Sequence, residues 1–343
     1  MNTRQACLER LRGSYREIPP GQTYQVDLFR PEDAPGVAQL YYAVYGENFP
    51  VDYVYDPEEL VRRNAGPDLH HVLARTPSGD IVAMAALFRS APGQGIMESG
   101  SLMALPNYPG GKLVLSLGQI IHDLPQRLGL HAVFCQNVCD HLVSQKASQR
   151  FHYRPFSLEL DAMPPRPKEQ APGQGGRISL LDEFRVYRDA PHTVHLPDVY
   201  AGFLSSLYAS RGLSRVQAPD AEPGSSARFD VQAMDHASLV RVNVLEFGRD
   251  FPQCLRQTLE RFPDRQVCQL CLPLWQPGIT LAVNAARSAR FFMAGLLPLW
   301  ADRDMLLMQR LATSSDRSRI KLFTGEAVEL LDFISRDQEA VTR

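Results

Sequence analysis

The chain has 343 residues, enough for one large core or for two domains. Its 44% hydrophobic and 22% charged residues are the composition of an ordinary soluble globular protein, and a net charge of −2 with no polybasic tract gives no pull toward nucleic acid or an anionic membrane surface. No apolar run approaches the ~20 residues that span a bilayer, and the N-terminus, MNTRQACLERLRGSYREIPPG, lacks the apolar centre of a signal peptide, so a cytoplasmic protein is expected.

That N-terminal stretch reads as a short amphipathic helix ended by Pro19 and Pro20. TYQVDLFR follows as a strand with Val26 and Leu28 on one face. PEDAPGVAQLYYAVYG opens with Pro31 and two acids, as a helix should. DPEELVRRNAG is another helix, with Asp56 as N-cap, Pro57 at its first position and Gly66 at its end. LHHVLARTPSGDIVAMAALFRS is a hairpin around Pro77, Ser78, Gly79 and Asp80. GIMESGSLMAL is a strand, GKLVLSLGQIIHDLPQRLG a helix closed by Gly129, LHAVFCQNVC a strand, DHLVSQKASQRFHY a helix and RPFSLELDAMP a strand. The order is β-α-α-β-β-β-α-β-α-β. MPPRPKEQAPGQGGR, residues 163–177, carries four prolines and three glycines among polar residues and reads as a linker between halves at 1–162 and 178–343.

The second half repeats the style. HTVHLPDVYAGFLSSLYASRG is strand then helix, APDAEPGSSAR (218–228) a surface excursion, and RFDVQAMDHASLVRVNVLEFG a hairpin. DFPQCLRQTLERFP is a helix, RQVCQLCLPL a buried strand, and GITLAVNAARSARFFMAG a loop and helix. On a strand, Cys268 and Cys271 face opposite sides and cannot chelate one ion. Cys135, Cys139 and His141 share a face by spacing, but a zinc site wants a fourth ligand and none is near; buried structural cysteines are the plainer reading, and no metal is expected.

Three stretches carry a resemblance: LFRPEDAPGVAQLYYAVYGENFPVDYVYDPEEL near the start, VCDHLVSQK in the middle, and RFFMAGLLPLWADRDMLLMQRL near the end. Together with a strand–glycine loop–helix at the centre of the first half, they resemble two-domain bacterial proteins of the Gcn5-related N-acetyltransferase (GNAT) superfamily, over most of the chain from about Tyr24 to Asp337. The resemblance implies tandem GNAT-like folds, each a mixed, mostly antiparallel sheet flanked by helices, with the second copy degenerate. It implies acetyl-CoA or another acyl-CoA as donor and an amine of a small molecule or protein as acceptor.

The stretch ALPNYPGGKLVLSLGQ (104–119) is then the donor loop. A helix start offers unpaired N–H groups and partial positive charge to a pyrophosphate, and glycines let the backbone approach it. Gly110, Gly111, Lys112 and Leu113 are the candidates, with Leu102 and Ala104 on the preceding strand. YPGGK departs from the family pattern: Tyr108 and Pro109 replace its basic and glycine-rich opening, and a plain turn is the alternative. The resemblance assigns Glu98 as general base; the alternative is an exposed acid at the strand's start. The resemblance offers His141 as proton donor and Ser144 as a contact to the cofactor arm, while the plainer reading of His141 is a helix-start residue with no catalytic part. Tyr42, Tyr45, Phe49, Tyr53 and Tyr55 could line an acceptor pocket or simply pack a core. In the second half LEFGRDFPQ stands at the loop position, where Glu246 and Asp250 would repel a pyrophosphate; that half is expected to complete the pocket or to pair two copies. Two readings stay open: a cytoplasmic acyltransferase, and a non-catalytic acyl-CoA-binding or regulatory protein.

Overall fold

The structure is a computed structural model that describes residues 3–108, 110–165 and 176–342. By internal contacts it divides into a first unit, Met1–Ala91 with Met97–Val133, and a second, Pro92–Ile96 with Phe134–Arg343.

The first unit opens with α1 (Arg4–Ser14), whose Thr3 cap accepts from the Ala6 N–H. It continues through β1 (Gln25–Leu28), α2 (Ala34–Tyr45), α3 (Pro57–Asn64), β2 (Leu69–Arg75), β3 (Ile81–Phe88), β4 (Ile96–Ala104) and α4 (Gly111–Leu128). The Asp56 carboxylate caps α3 by accepting from Glu58 N–H, with Pro57 in the first turn. Strands β1 to β4 pair antiparallel in sequence order. Cys7, Leu8 and Leu11 of α1, Val37 and Tyr41 of α2, Leu60 of α3, Leu73 and Met84 of the sheet form one buried core. Gly129, at φ 67, ends α4 in the left-handed conformation glycine favours.

The division between units runs through β5 (Ala132–Val138). The second unit continues with α5 (Val143–Arg150), β6 (Arg154–Met163), β7 (Ile178–Val186), β8 (His192–His195), α6 (Asp198–Arg211), β9 (Arg215–Ala218), β10 (Arg228–Met234), β11 (Leu239–Glu246), α7 (Phe251–Glu260), β12 (Val267–Pro273), α8 (Ile279–Ser288), β13 (Phe292–Leu297), β14 (Met305–Leu311) and α9 (Gly325–Thr342). Its main sheet runs β5-β7-β6-β13-β14-β12-β11-β10, and β8 pairs with β9 apart from it.

That order contains a repeat. In β5-α5-β6-β7 the last strand lies between the other two, giving β5-β7-β6; β12-α8-β13-β14 does the same, giving β12-β14-β13. The two sets meet edge to edge at β6 and β13, where Gly295 faces Ser157. Gly295 has φ 143, and a Cβ there would collide with the backbone of Phe156 and Ser157, so only glycine permits the approach. The buried Gln309 amide completes the seam: it donates to Leu160 O (2.7 Å) and accepts from Leu160 N–H (2.8 Å). Among the pairs in this sheet, β11 and β12 run parallel and the others described are antiparallel. The fold is thus the expected mixed, mostly antiparallel sheet with flanking helices.

Several boundaries differ from the sequence reading. Residues 166–175 of the expected 163–177 linker lie outside the described residues; β6 and β7, which border it, are antiparallel neighbours in the second unit. ISLLDEFRV forms strand β7, and FFMAGL leaves the α8 pattern to become β13. Cys268 and Cys271 are buried on β12, and Cys135 and Cys139 are buried too. No group of three or more His, Cys, Asp or Glu placed to hold a metal occurs among the described residues, and none of their helices is long and apolar enough to cross a membrane.

Candidate active site

The strand β4, residues 105–110 and the start of α4 form the candidate donor site in the first unit. Gly110 is the N-cap of α4 and contributes no side-chain cap. Its carbonyl accepts from Val114 N–H at 2.8 Å, while the N–H groups of Gly111, Lys112 and Leu113 fall in the first turn, before intrahelical bonding begins. Gly111 and Lys112 are exposed, and Leu113 anchors the turn in the core. Around Gly111 a Cβ would meet nothing within 4 Å. This is an open, uncapped helix start, the kind of backbone that suits an anion. Tyr108, which replaces the basic opening of the family pattern, turns inward: it is 4% exposed, and its hydroxyl donates to Pro19 O at 2.7 Å. Pro109 lies outside the described residues.

Strand β4 is irregular just before the loop. Its pairing with β3 shifts register between Met84 and Ala86, and Ser101 has φ 50. Such a bulge re-aims the side chains around it. Leu102 consequently stands 45% exposed while Met103 is buried, and Ala104 is half-buried. Glu98 lies near the start of β4, opposite Phe88 and half-buried. Its Oε2 accepts from the Ser90 hydroxyl at 2.6 Å. Gly100 is small because Phe88 lies across it: a Cβ there would stand 2.9 Å from the Phe88 ring and 3.6 Å from Glu98 Oε1.

The aromatic residues of α2 and the next turn divide into two roles. Tyr45 and Phe49 have ring centroids 5.0 Å apart, and Phe49 lies 4.9 Å from Tyr41. Tyr45 is 40% exposed. Tyr53 carries the Arg63 guanidinium 4.3 Å from its ring centroid. Tyr55 is fully buried; its hydroxyl donates to Gly46 O (2.8 Å) and accepts from Phe49 N–H (3.1 Å), latching the turn. Tyr41, absent from the sequence-derived candidates, ties this cluster to the bulge: its hydroxyl donates to Ser101 Oγ at 3.1 Å. The adjacent pair Tyr41–Tyr42 was its sequence signal, since two neighbouring helix positions cannot face the same way.

His141 and Ser144 belong to the second unit. His141 Nδ1 accepts from Val143 N–H at 3.3 Å and Nε2 lies 3.8 Å from Asp140 Oδ1. Ser144 sits in the first turn of α5, its Oγ buried without a hydrogen-bond partner among the described residues.

The corresponding loop of the second half, between β11 and α7, is covered by the chain itself. The 218–228 segment, expected to be a surface excursion, folds back over it. Gly224 bridges Gly248, Arg249 N–H donates to Gly224 O (2.9 Å), and Asp250 accepts from Ala227 N–H (2.6 Å). A side chain at Gly248 would collide with Ala227. The same segment carries Asp220 to the start of α8, where its carboxylate accepts from Gly278 N–H (2.7 Å) and Thr280 N–H (2.8 Å). Partial burial opposes ionisation of Asp220, but the Thr280 and Gly278 N–H groups prevail and hold its carboxyl below the ordinary range.

No family model matches the chain, and no curated protein matches it. Solved structures similar to it include a GNAT-superfamily phosphinothricin acetyltransferase from Sinorhizobium meliloti in complex with acetyl-CoA: 15% identity, 48% of this chain, 89% of that one, TM-score 0.39. The ribosomal-protein-S18-alanine N-acetyltransferase of Escherichia coli is similar at 12% identity, over 49% of this chain and 96% of that one, TM-score 0.38. A spermidine N-acetyltransferase from Vibrio cholerae, in complex with CoA and spermine, is similar at 10% identity, over 48% and 95% of the two chains, TM-score 0.37. Likenesses at these values do not assign the chain to a family.

Proposed function

We propose that the chain is an acyl-CoA-dependent N-acyltransferase whose donor site is built on β4 and the start of α4. The observation that supports it most is the uncapped, glycine-flanked start of α4, directly after a bulged strand that holds a half-buried carboxylate. An acyl-CoA, when bound, supplies an acyl thioester, and acetyl-CoA is the first to test. The N–H groups of Gly111, Lys112 and Leu113 hold its phosphates, the Lys112 ammonium adds charge, and Leu102 and Ala104 flank its arm. Glu98 takes a proton from the acceptor ammonium; Ser90, donating to Oε2, fixes the carboxylate's orientation. Tyr45 and Phe49 offer the acceptor an apolar wall beside the latch that Tyr55 closes. The second half takes no donor, because Asp220 and residues 224–227 already occupy the backbone groups an anion would need.

The alternative reading, a protein that binds acyl-CoA without turning it over, draws on the uncharged, inward-turned Tyr108, which leaves Lys112 as the loop's one cation among the described residues. Thiol release from acetyl-CoA, followed across pools of small amines and peptides, decides between them. Amine-dependent release with an acylated product supports the transferase. Binding without release in any pool supports the alternative, and absence of binding contradicts both.

A further inference from the structure

The second unit carries an open groove of about 1550 Å³ between α7 and α8, and none of its lining residues belongs to the candidate donor site. Its two ends differ in charge, and the topology gives the reason. β11 and β12 run parallel, and β14 lies antiparallel to both β12 and β13. The connections α7 and α8 therefore each join parallel strands, so both start at one end of the sheet and finish at the other. At the starting end Asp220 holds Gly278 N–H and Thr280 N–H, and a Cβ at Gly278 would stand 2.6 Å from Pro223 Cβ. The start of α6 is drawn to the same end, since His195 N–H donates to Leu274 O (2.6 Å), just past β12. That end thus carries Asp198, Asp220 and Glu222. Arg310 lines the finishing end, because it pairs with Cys268 at the start of β12. It is half-buried, its guanidinium lies 5.8 Å from the Phe291 ring centroid, and no ion pair joins it to a described residue. Arg256 and Glu260, one turn apart on α7, offset each other's charge. Leu255, Leu259, Leu281 and Ala285 line the length between the ends.

We infer that this groove binds a short apolar peptide with free termini, its C-terminal carboxylate on the Arg310 guanidinium and its N-terminal ammonium beside Asp198 and Glu222. A half-buried guanidinium with no acid of its own presents the fork that a carboxylate matches. Thr280 to Ser288 of α8 rise roughly 12 Å, the span of about four extended residues. Asn284, exposed on that wall, offers its amide to the peptide backbone, and the leucines receive apolar side chains. The test is calorimetric titration of the full chain with the tetrapeptide Leu-Ala-Ala-Leu, its C-terminal amide, its N-acetyl form and decanoate. The parent, Arg310→Gln and the double variant Asp198→Asn/Glu222→Gln are compared, with circular dichroism to confirm folding. The free tetrapeptide binds the parent, and the amide binds about ten- to a hundredfold more weakly, the loss of a charge-assisted pair. Arg310→Gln binds acid and amide alike. N-acetylation costs at most about fivefold, because Asp198 and Glu222 are exposed, and the double variant removes that difference. If Arg310→Gln does not fold, the comparison of acid with amide on the parent still decides where the carboxylate sits. Equal affinity of the parent for acid and amide overturns the proposal, as does binding of decanoate without any peptide, or binding of none of the four. No arm uses coenzyme A, so this result and that of the acyl-transfer reading are read separately.

Discussion

Gly111→Asp separates a phosphate cradle from a plain turn. Gly111 is the first residue of α4, exposed, with open space where a Cβ would stand. Nothing in the fold resists the substitution. Replacing an exposed glycine here lowers the conformational entropy of the unfolded chain and so stabilises the fold by about 0.4–1 kcal/mol, and an acid in a helix's first turn adds about 0.3–1 kcal/mol. The variant is therefore expected to melt at the parent's temperature or above it. Binding moves the other way. The new carboxylate stands where the phosphates should lie and competes for the same N–H groups. Each charge-assisted hydrogen bond contributes about 1.5–3 kcal/mol, so losing two weakens coenzyme A binding by about a hundredfold or more. Lys112→Ala costs less, because solvent replaces an exposed side chain while the N–H array remains. Calorimetric titration with coenzyme A, beside thermal melts, reads both effects. A folded Gly111→Asp protein that binds coenzyme A as the parent does would refute the cradle.

Glu98→Gln is expected to lower turnover by roughly 10²–10⁴-fold, the usual contribution of a general base, with coenzyme A affinity unchanged; equal rates across pH would remove Glu98 from the chemistry. Glu183 on β7 is buried, and burial, reinforced by the Glu326 charge and opposed by hydrogen bonds from Asn137 and Ser148, pushes its carboxyl from 4.5 to about 7. The folded state then holds a proton that the unfolded state releases, so stability falls as pH rises from about 4.5 to about 7, by about 3 kcal/mol at about 1.4 kcal/mol per pH unit. Urea titrations at several pH values should show Glu183→Gln flattening that fall; a parent equally stable across the window contradicts it. Gly295→Ala forces a Cβ into the β6–β13 seam at φ 143 and is expected to cost at least ~2 kcal/mol in the same titrations, from overpacking and backbone strain.

Much of the fold was legible because local signals were strong. Asp56-Pro57 marks the α3 start, Gly129 the α4 end, and the Pro77–Asp80 turn the β2–β3 hairpin, each through chemistry confined to a few residues. What failed was non-local. ISLLDEFRV carries three charges, yet Asp182 and Glu183 are both 1% exposed. Asp182 accepts from Ser157 Oγ (2.6 Å) and Gln136 Nε2 (2.9 Å), partners that only the assembled sheet supplies. Burial and the nearby Glu159 charge drive its carboxyl well above the ordinary range, a state no periodicity reveals. FFMAGL continued the apolar pattern of α8, and its separation into β13 follows a chain reversal at Arg290, φ 66. At the candidate site, the glycines and Glu98 were visible as residue types. Tyr41 and the folding-back of 218–228 were not, since each acts through a partner distant in sequence; Ser90 was not because its bond to Glu98 depends on how the chain between them turns.

The most direct test of the central claim is a crystal structure of the chain with coenzyme A. The account predicts one coenzyme A per chain, its pyrophosphate on the N–H groups of Gly111, Lys112 and Leu113, with Asp220 still on Gly278 and Thr280. A pyrophosphate bound at the start of α7 or α8, or anywhere away from Gly111, would contradict it.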